Sequence, residues 1–317
     1  MNKAFVLGAG LGERLRPLTD QLPKPLVPVY HRPLMSYAFD HLAADLGVKS
    51  FVVNTFHLPE QYALAYPKSE HGGRPIVFRK DAPVRLETAG GLANVRDLLD
   101  DGSTFIVYNG DILTDLPLGK LLHEHQSSGR MVTLALRSMG PALHIALDEE
   151  RDLVMDIRGK LGTDWPCKYL FTGIYVVEPA FFRLLQPGVP ESVIPHFLAL
   201  ASAGQLGGVV IDEGEWWDLG SREAYLEAHA TLGAGAAGFP RYGSTAREAV
   251  HPEAQVAADA VLRGGTAVGA GAVVGAGAVL EDCVIWPGAT VEPGARLTRC
   301  IVRSQMTAGG SHANVDF

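Results

Sequence analysis

The rhythm of apolar and polar positions divides the chain near residue 232. Before it, short apolar runs recur: Lys3-Ala-Phe-Val-Leu7, Ser50-Phe-Val-Val-Asn54, Thr104-Phe-Ile-Val-Tyr108, Val132-Thr-Leu-Ala-Leu136 and Gly173-Ile-Tyr-Val-Val177. Such runs predict strands covered on both faces. Between them, helical spacing of apolar residues over 33–46, 88–99, 116–126, 180–185, 192–203 and 221–232 predicts helices. The alternation predicts an α/β fold, a Rossmann-like, doubly wound, mainly parallel sheet with helices on both faces. Ligands of such sheets bind where loops leave the carboxyl ends of strands.

Beyond residue 232 the rhythm is different. Gly233-Ala-Gly-Ala-Ala-Gly238 reads as a flexible linker, and no lysine follows it. From Ala254 a six-residue beat appears: Ala260-Val-Leu, Thr266-Ala-Val, Ala272-Val-Val, Ala278-Val-Leu, Val284-Ile-Trp, Ala289-Thr-Val, Ala295-Arg-Leu and Ile301-Val-Arg. A small residue followed by an aliphatic one at this period predicts a short hexapeptide-repeat parallel β-helix. Cys283 and Cys300 then stand one turn apart, because the Val284 unit is one residue short, and should stack as small apolar fillers. The expected organisation is a first domain over 1–232, a linker over 233–253 and the repeat domain over 254–317.

Composition narrows the function classes. Of 317 residues, 47% are hydrophobic and 20% charged, which excludes wholesale disorder. The net charge of −8, from 27 Lys+Arg against 35 Asp+Glu, argues against a nucleic-acid-binding surface. Three cysteines without a C-x-x-C pair fit a reducing, cytoplasmic setting. The apolar run Ala4 to Leu7 is too short for a signal peptide, and no run is long enough to span a membrane.

The first polar loop after a strand is Leu7-Gly-Ala-Gly-Leu-Gly-Glu-Arg14. Glycines at Gly8, Gly10 and Gly12 let main-chain N–H groups approach a phosphate. The spacing meets neither the dinucleotide fingerprint nor the P-loop pattern. Cations follow on the same stretch, at Arg14, at Arg16 and at Lys24, which stands between Pro23 and Pro25 and so outside any helix interior. Arg14 and Lys24 are the expected catalytic cations, and a solvated loop lysine is the competing reading of Lys24. Asp111 ends a buried run, and Asp218 precedes a helix whose N-cap is Ser221.

These motifs together resemble the nucleoside-diphosphate-sugar pyrophosphorylases, the sugar-1-phosphate nucleotidyltransferases. The resemblance rests on Leu7 to Thr19, Leu22-Pro-Lys-Pro-Leu-Val-Pro-Val29, Asn109-Gly-Asp111, Phe171-Thr-Gly-Ile-Tyr175 and Trp217-Asp-Leu-Gly-Ser221. Gly8 and Glu13 depart from the residues usual there. The loop Leu86-Glu-Thr-Ala-Gly-Gly-Leu92 is similar to N-acetylmuramate-1-phosphate uridylyltransferases, whereas the two-part layout, with a trailing left-handed β-helix, is similar to mannose-1-phosphate guanylyltransferases.

The resemblance implies that a sugar 1-phosphate attacks the α-phosphorus of a nucleoside triphosphate, GTP in the leading reading, and releases pyrophosphate. Between polyanions, catalysis is positioning plus charge neutralisation. Mg²⁺ is then expected at Asp111 and Asp218, and the nucleotide at Gly8, Gly10, Gly12, Arg14, Gly90 and Gly91. The sugar phosphate is expected at Lys168 and Gly173, with Lys160 as the competing lysine. His123 and His125 read as surface residues, and Trp216 and Trp217 as either sugar platforms or packing. An inactive scaffold on the same fold is the alternative of another class, disfavoured because Arg14, Lys24, Asp111 and Asp218 are all present. The repeat domain lacks a histidine between His251 and His312, so it is expected to join copies into a homo-oligomer rather than to transfer acyl groups. Cutting after Leu232 is expected to leave the catalytic residues intact.

Overall fold

The computed structural model describes residues 1–233 and 249–317, and most of the expected linker lies outside them. The chain forms two compact units, Met1–Leu11 with Ala38–Trp216, and Gly12–Tyr37 with Trp217–Phe317. This differs from the boundary read at residue 232: the stretch carrying Arg14 and Lys24 belongs with the repeat region.

The first unit is built on one sheet. Its main strands are β1 (Lys3–Leu7), β2 (Ser50–Thr55), β3 (Arg74–Lys80), β4 (Phe105–Asn109), β5 (Val132–Arg137), β6 (Ile145–Asp148), β7 (Leu153–Ile157), β8 (Cys167–Val177) and β9 (Leu206–Val210). They lie in the order β6-β7-β9-β5-β8-β4-β1-β2-β3, with Glu70–His71 at the edge beyond β3. Strands β4, β1, β2 and β3 are parallel, as expected. Strands β5 and β9 run in the same direction, so the sheet is mainly parallel as expected, with β8 inserted antiparallel to both β4 and β5. The segment over 138–166 that joins β5 to its neighbour β8 contains no helix, and parallel neighbours are usually joined by a helical crossover.

The apolar runs are buried as their pattern requires. Phe5, Val52, Phe105, Val107, Val132, Leu134 and Tyr175 meet Leu92, Val95 and Phe197 in one continuous core. The helices are α1 (Leu34–Leu46), α2 (Glu60–Ala65), α3 (Glu87–Asn94), α4 (Arg96–Leu99), α5 (Leu118–Ser128), α6 (Ile194–Ser202) and α7 (Arg222–Gly233). His125 on α5 is corrected from surface to core: it is 1% exposed and hydrogen-bonded to Thr133 Oγ1 and Glu178 Oε1. A polar ring survives inside because both nitrogens have partners.

In the second unit the six-residue beat becomes three parallel sheets, and successive strands fall in different sheets. The arrangement fits a parallel β-helix. Val268, Val274, Leu280, Ile285, Val291, Leu297 and Val302 share its core with Ala272, Ala278, Ala289 and Ala295. Cys283 and Cys300 are fully buried on adjacent rungs, with Cys300 N–H 3.5 Å from Cys283 Sγ. Within this unit α7 packs on the repeats: Trp286 Nε1–H donates to Tyr225 Oη at 3.1 Å, and Arg222 Nε pairs with Asp316 at 2.7 Å. Tyr225 O–H in turn donates to the Pro28 carbonyl. None of the described helices is long and apolar enough to cross a membrane.

Candidate active site

In the first unit the glycine loop leaves β1 where β2 and β4 also end. Leu7 lies opposite Asn54 of β2 and Asn109 of β4. Gly8 departs from its expected role. Its N–H donates to Asn54 Oδ1 at 3.0 Å, and its carbonyl accepts from Tyr62 O–H at 2.7 Å. A Cβ there would stand 2.6 Å from the Asn54 carbonyl, so Gly8 serves close packing and its N–H is already committed. Gly10 is exposed, with open space around it, and is the glycine of this unit's loop whose backbone is accessible.

Asn109-Gly110-Asp111 turns beside the same loop, because Gly110 N–H donates to the Leu7 carbonyl at 3.0 Å. Asp111 is half-buried there. Burial, with Tyr66 and the Asp111 carboxylate nearby, raises the Tyr62 hydroxyl above its ordinary range. Gly173 lies in the irregular stretch of β8 with φ +85°, and a Cβ on it would meet Asn109 Nδ2 at 2.5 Å. Trp216 is half-buried, and its Nε1–H braces that stretch by donating to the Thr172 carbonyl at 2.8 Å. Lys168 is exposed near the start of β8, and Lys160 is exposed in the turn after β7.

Gly90 and Gly91 are buried on α3. A Cβ at Gly90 would lie 2.2 Å from the Val189 carbonyl, and one at Gly91 2.7 Å from Asn54 Nδ2. Both glycines therefore let α3 pack closely against its neighbours. The helix entry is braced by Ala89 and Gly90 N–H donating to the Glu191 carbonyl, at 2.8 and 3.2 Å.

The second unit holds the cations. Gly12 has φ +65°, and its carbonyl accepts from Thr19 Oγ1 at 2.9 Å, so the loop folds tightly back on itself. Three single-turn helices follow, at Glu13–Leu15, Leu18–Asp20 and Lys24–Leu26. Lys24 is 5% exposed, and its Nζ lies 2.9 Å from Asp218 Oδ1. The solvated-lysine reading is thereby excluded. Arg14 reaches the other oxygen of the same carboxylate, Nη2 to Oδ2 at 3.4 Å, from an exposed position. Asp218 is thus held between two cations, and Glu13 is exposed beside Arg14.

Gly220 was not singled out in the sequence, yet a Cβ there would fall 2.6 Å from Arg14 Nη2 and 2.9 and 3.0 Å from the Asp218 oxygens. Ser221 begins α7 as expected, accepting from Ala224 N–H at 3.2 Å. Asn54, Tyr62 and Asp81 were also missed. The available signal for Asn54 was a polar residue closing an apolar run.

Asp111 in the first unit and Asp218 in the second are each carboxylates, the oxygen-donor type that a hard divalent ion takes. Among the described residues no group of three or more His, Cys, Asp or Glu could hold a metal. An ion of the Mg²⁺ type, held by one or two carboxylates plus substrate phosphates, needs no larger cluster.

The chain is similar to known nucleotidyltransferases. The sequence profile described as Nucleotidyl transferase matches residues 3–235. The mannose-1-phosphate guanylyltransferase of Mycobacterium tuberculosis (strain ATCC 25618 / H37Rv) is 33% identical over 274 residues, covering 84% of this chain and 74% of that one. The N-acetylmuramate alpha-1-phosphate uridylyltransferase of Neisseria meningitidis serogroup B is 30% identical over 232 residues, covering 73% and 99%. Several further relatives are longer, and the chain spans 62–63% of their length. A crystal structure of a putative glucose-1-phosphate thymidylyltransferase from Bacillus anthracis superposes with TM-score 0.62 at 19% identity, covering 75% of this chain and 98% of that one, which shows a shared fold.

Proposed function

Because the chain belongs to the nucleotidyl transferase family and is a sugar-1-phosphate nucleotidyltransferase, we propose that it joins mannose 1-phosphate to GTP, giving GDP-mannose and pyrophosphate. The observation carrying the substrate reading is the similarity to the Mycobacterium enzyme, which extends over 84% of the chain. The Leu86 to Leu92 loop, with the similarity to the Neisseria protein, favours a second reading: UTP with N-acetylmuramate 1-phosphate.

The sugar phosphate oxygen is already anionic at neutral pH, so attack on the α-phosphorus needs no general base. What the reaction needs is cancelled charge. Lys24 and Arg14 supply it to the triphosphate and to the departing pyrophosphate, and burial of Lys24 in a fixed pose lowers the reorganisation cost. Enzymes of this family use a divalent metal ion. Mg²⁺ at Asp111 and Asp218 would add charge on the phosphates. Gly10, Gly12, Gly90 and Gly91 border the nucleotide in this reading, and Lys168 and Gly173 the sugar phosphate. The three-sheet region is read as a left-handed β-helix that joins copies into a homo-oligomer.

Pyrophosphate release over a matrix of four nucleoside triphosphates and a panel of sugar 1-phosphates tests the substrates. Turnover is expected with GTP and mannose 1-phosphate. Turnover with UTP and none with GTP would reverse the two readings.

A further inference from the structure

Asp81 closes a buried network that the family motifs do not include. It follows β3 directly and is fully buried, as is Asn54 at 1% exposure. Asn54 Nδ2 donates to Asp81 Oδ2 at 3.2 Å, while Asn54 Oδ1 accepts the Gly8 N–H at 3.0 Å. The same Asp81 oxygen accepts the Leu86 N–H at 3.4 Å, and Oδ1 accepts from Asn94 Nδ2 at 3.2 Å. One carboxylate therefore ties together the glycine loop at Gly8, the entry of α3 at Leu86 and the end of α3 at Asn94.

A buried carboxylate is stable only while its hydrogen bonds are filled. Burial pushes the Asp81 pKa up, and the Leu86, Asn94 and Asn54 donors pull it back. The donors come from β2 and from the two ends of α3, so neither segment can shift without leaving the carboxylate short of a partner. The entry of α3 is also held in a backbone conformation that a non-glycine residue seldom adopts, with φ +59° at Glu87. Such a pose persists only where its surroundings fix it, and here Leu86 is fixed by Asp81 on its N–H and by the Glu191 N–H on its carbonyl at 3.0 Å. Gly91 completes the contact, since any Cβ on it would strike Asn54 Nδ2.

We propose that Asn54 and Asp81 are a positioning pair that locks the glycine loop to the start of α3 and so sets the nucleoside triphosphate affinity, without touching substrate. The proposal rests on the reading of these two segments as the nucleotide side of a nucleotidyltransferase site.

The test is a double-mutant cycle in the full chain, with KM measured separately for the triphosphate and the sugar 1-phosphate. Asp81→Asn places an amide donor against existing donors, and Asn54→Asp places a carboxylate against Asp81. Each is expected to raise KM for the triphosphate by about tenfold, the scale of one hydrogen bond to a charged group, with KM for the sugar phosphate within about twofold. The exchange N54D/D81N restores a donor opposite an acceptor and should recover part of that loss, and the confinement of the effect to the triphosphate KM is what a merely destabilised core would not give. Asn94→Ala removes one donor at the rim and is expected to raise the same KM by about threefold, a fraction of one hydrogen bond. Unchanged triphosphate KM in Asn94→Ala, or in any of the buried variants that fold, would overturn the coupling. Absence of pyrophosphate release by the wild-type chain with every triphosphate would instead overturn the underlying reading of the site.

Discussion

Arg303 Nη1 donates to the carbonyl of Pro17 at 3.3 Å, across 286 positions of sequence. Gln21 Nε2 reaches the Ser304 carbonyl from the same loop at 3.2 Å. The stretch that carries Arg14 and Lys24 therefore leans on the last rungs of the repeat region. Tyr30 N–H, Tyr225 and Trp286 extend the support through α7.

Truncation after Leu232 is consequently expected to do more than lower the oligomeric order. It strips Trp286 from Tyr225 and Arg303 from Pro17, and should cut pyrophosphate release by about tenfold or more, on the scale of losing preorganised contacts. Arg303→Ala in the full chain should lower turnover severalfold while light scattering shows an unchanged assembly. A truncated chain with wild-type turnover would show that the loop holds its shape unaided. A full-length chain that is monomeric at micromolar concentration would refute the assembly role.

Lys24→Ala is expected to reduce turnover by about 10²–10³-fold, as losing one preorganised charge contact does. Asp218→Asn removes the carboxylate charge that lies 2.9 Å from a 5%-exposed lysine. Removing one partner of a fully buried pair costs about 3–5 kcal/mol. The cost here should be smaller because the Asp218 side chain is 34% exposed. Thermal unfolding and steady-state turnover of both variants separate the stability effect from the catalytic one.

Chelation of divalent ions should abolish activity, and Mg²⁺ should restore it. Asp111→Asn should raise the Mg²⁺ concentration needed for half-maximal rate as well as lower the rate. Activity that persists unchanged in excess chelator would remove the metal from the reaction.

His229 makes stability sensitive to acid. Its Nε2 accepts the Tyr30 N–H at 3.0 Å and its Nδ1–H donates to the Tyr225 carbonyl at 2.9 Å, so the ring is neutral. Burial drives its pKa down to about 4 from an ordinary 6.5, the Tyr225 carbonyl opposes this, and His31 adds to it. The unfolded chain then binds the proton more readily than the folded one. Stability from this group is complete above about pH 6.5 and is lost progressively toward pH 4, by on the order of 3 kcal/mol. Melting temperature against pH should fall over that window, and His229→Gln should flatten the slope while lowering the plateau. An equal slope in both proteins would place the acid sensitivity elsewhere.

The sequence alone determined what local pattern encodes. The strands β1, β2, β4 and β5 lie where unbroken apolar runs place them, because no other element buries both faces of so short a run. The repeat register, including the stacking of Cys283 on Cys300, follows from its period, since each rung repeats the spacing of the last. Ser221 opens α7 because a serine hydroxyl can satisfy a helix-start N–H. Strand β9, Leu206-Gly-Gly-Val-Val210, was invisible because two glycines weaken strand propensity, and pairing with β5 supplies what propensity lacks. Only the tertiary structure decided that β8 runs antiparallel and that residues 12–37 join the repeat region. It also decided that Gly8 offers its N–H to Asn54 and that Lys24 meets Asp218 across 194 positions. Those outcomes depend on which distant segments lie side by side, and hydrophobic periodicity carries no record of a partner so far along the chain.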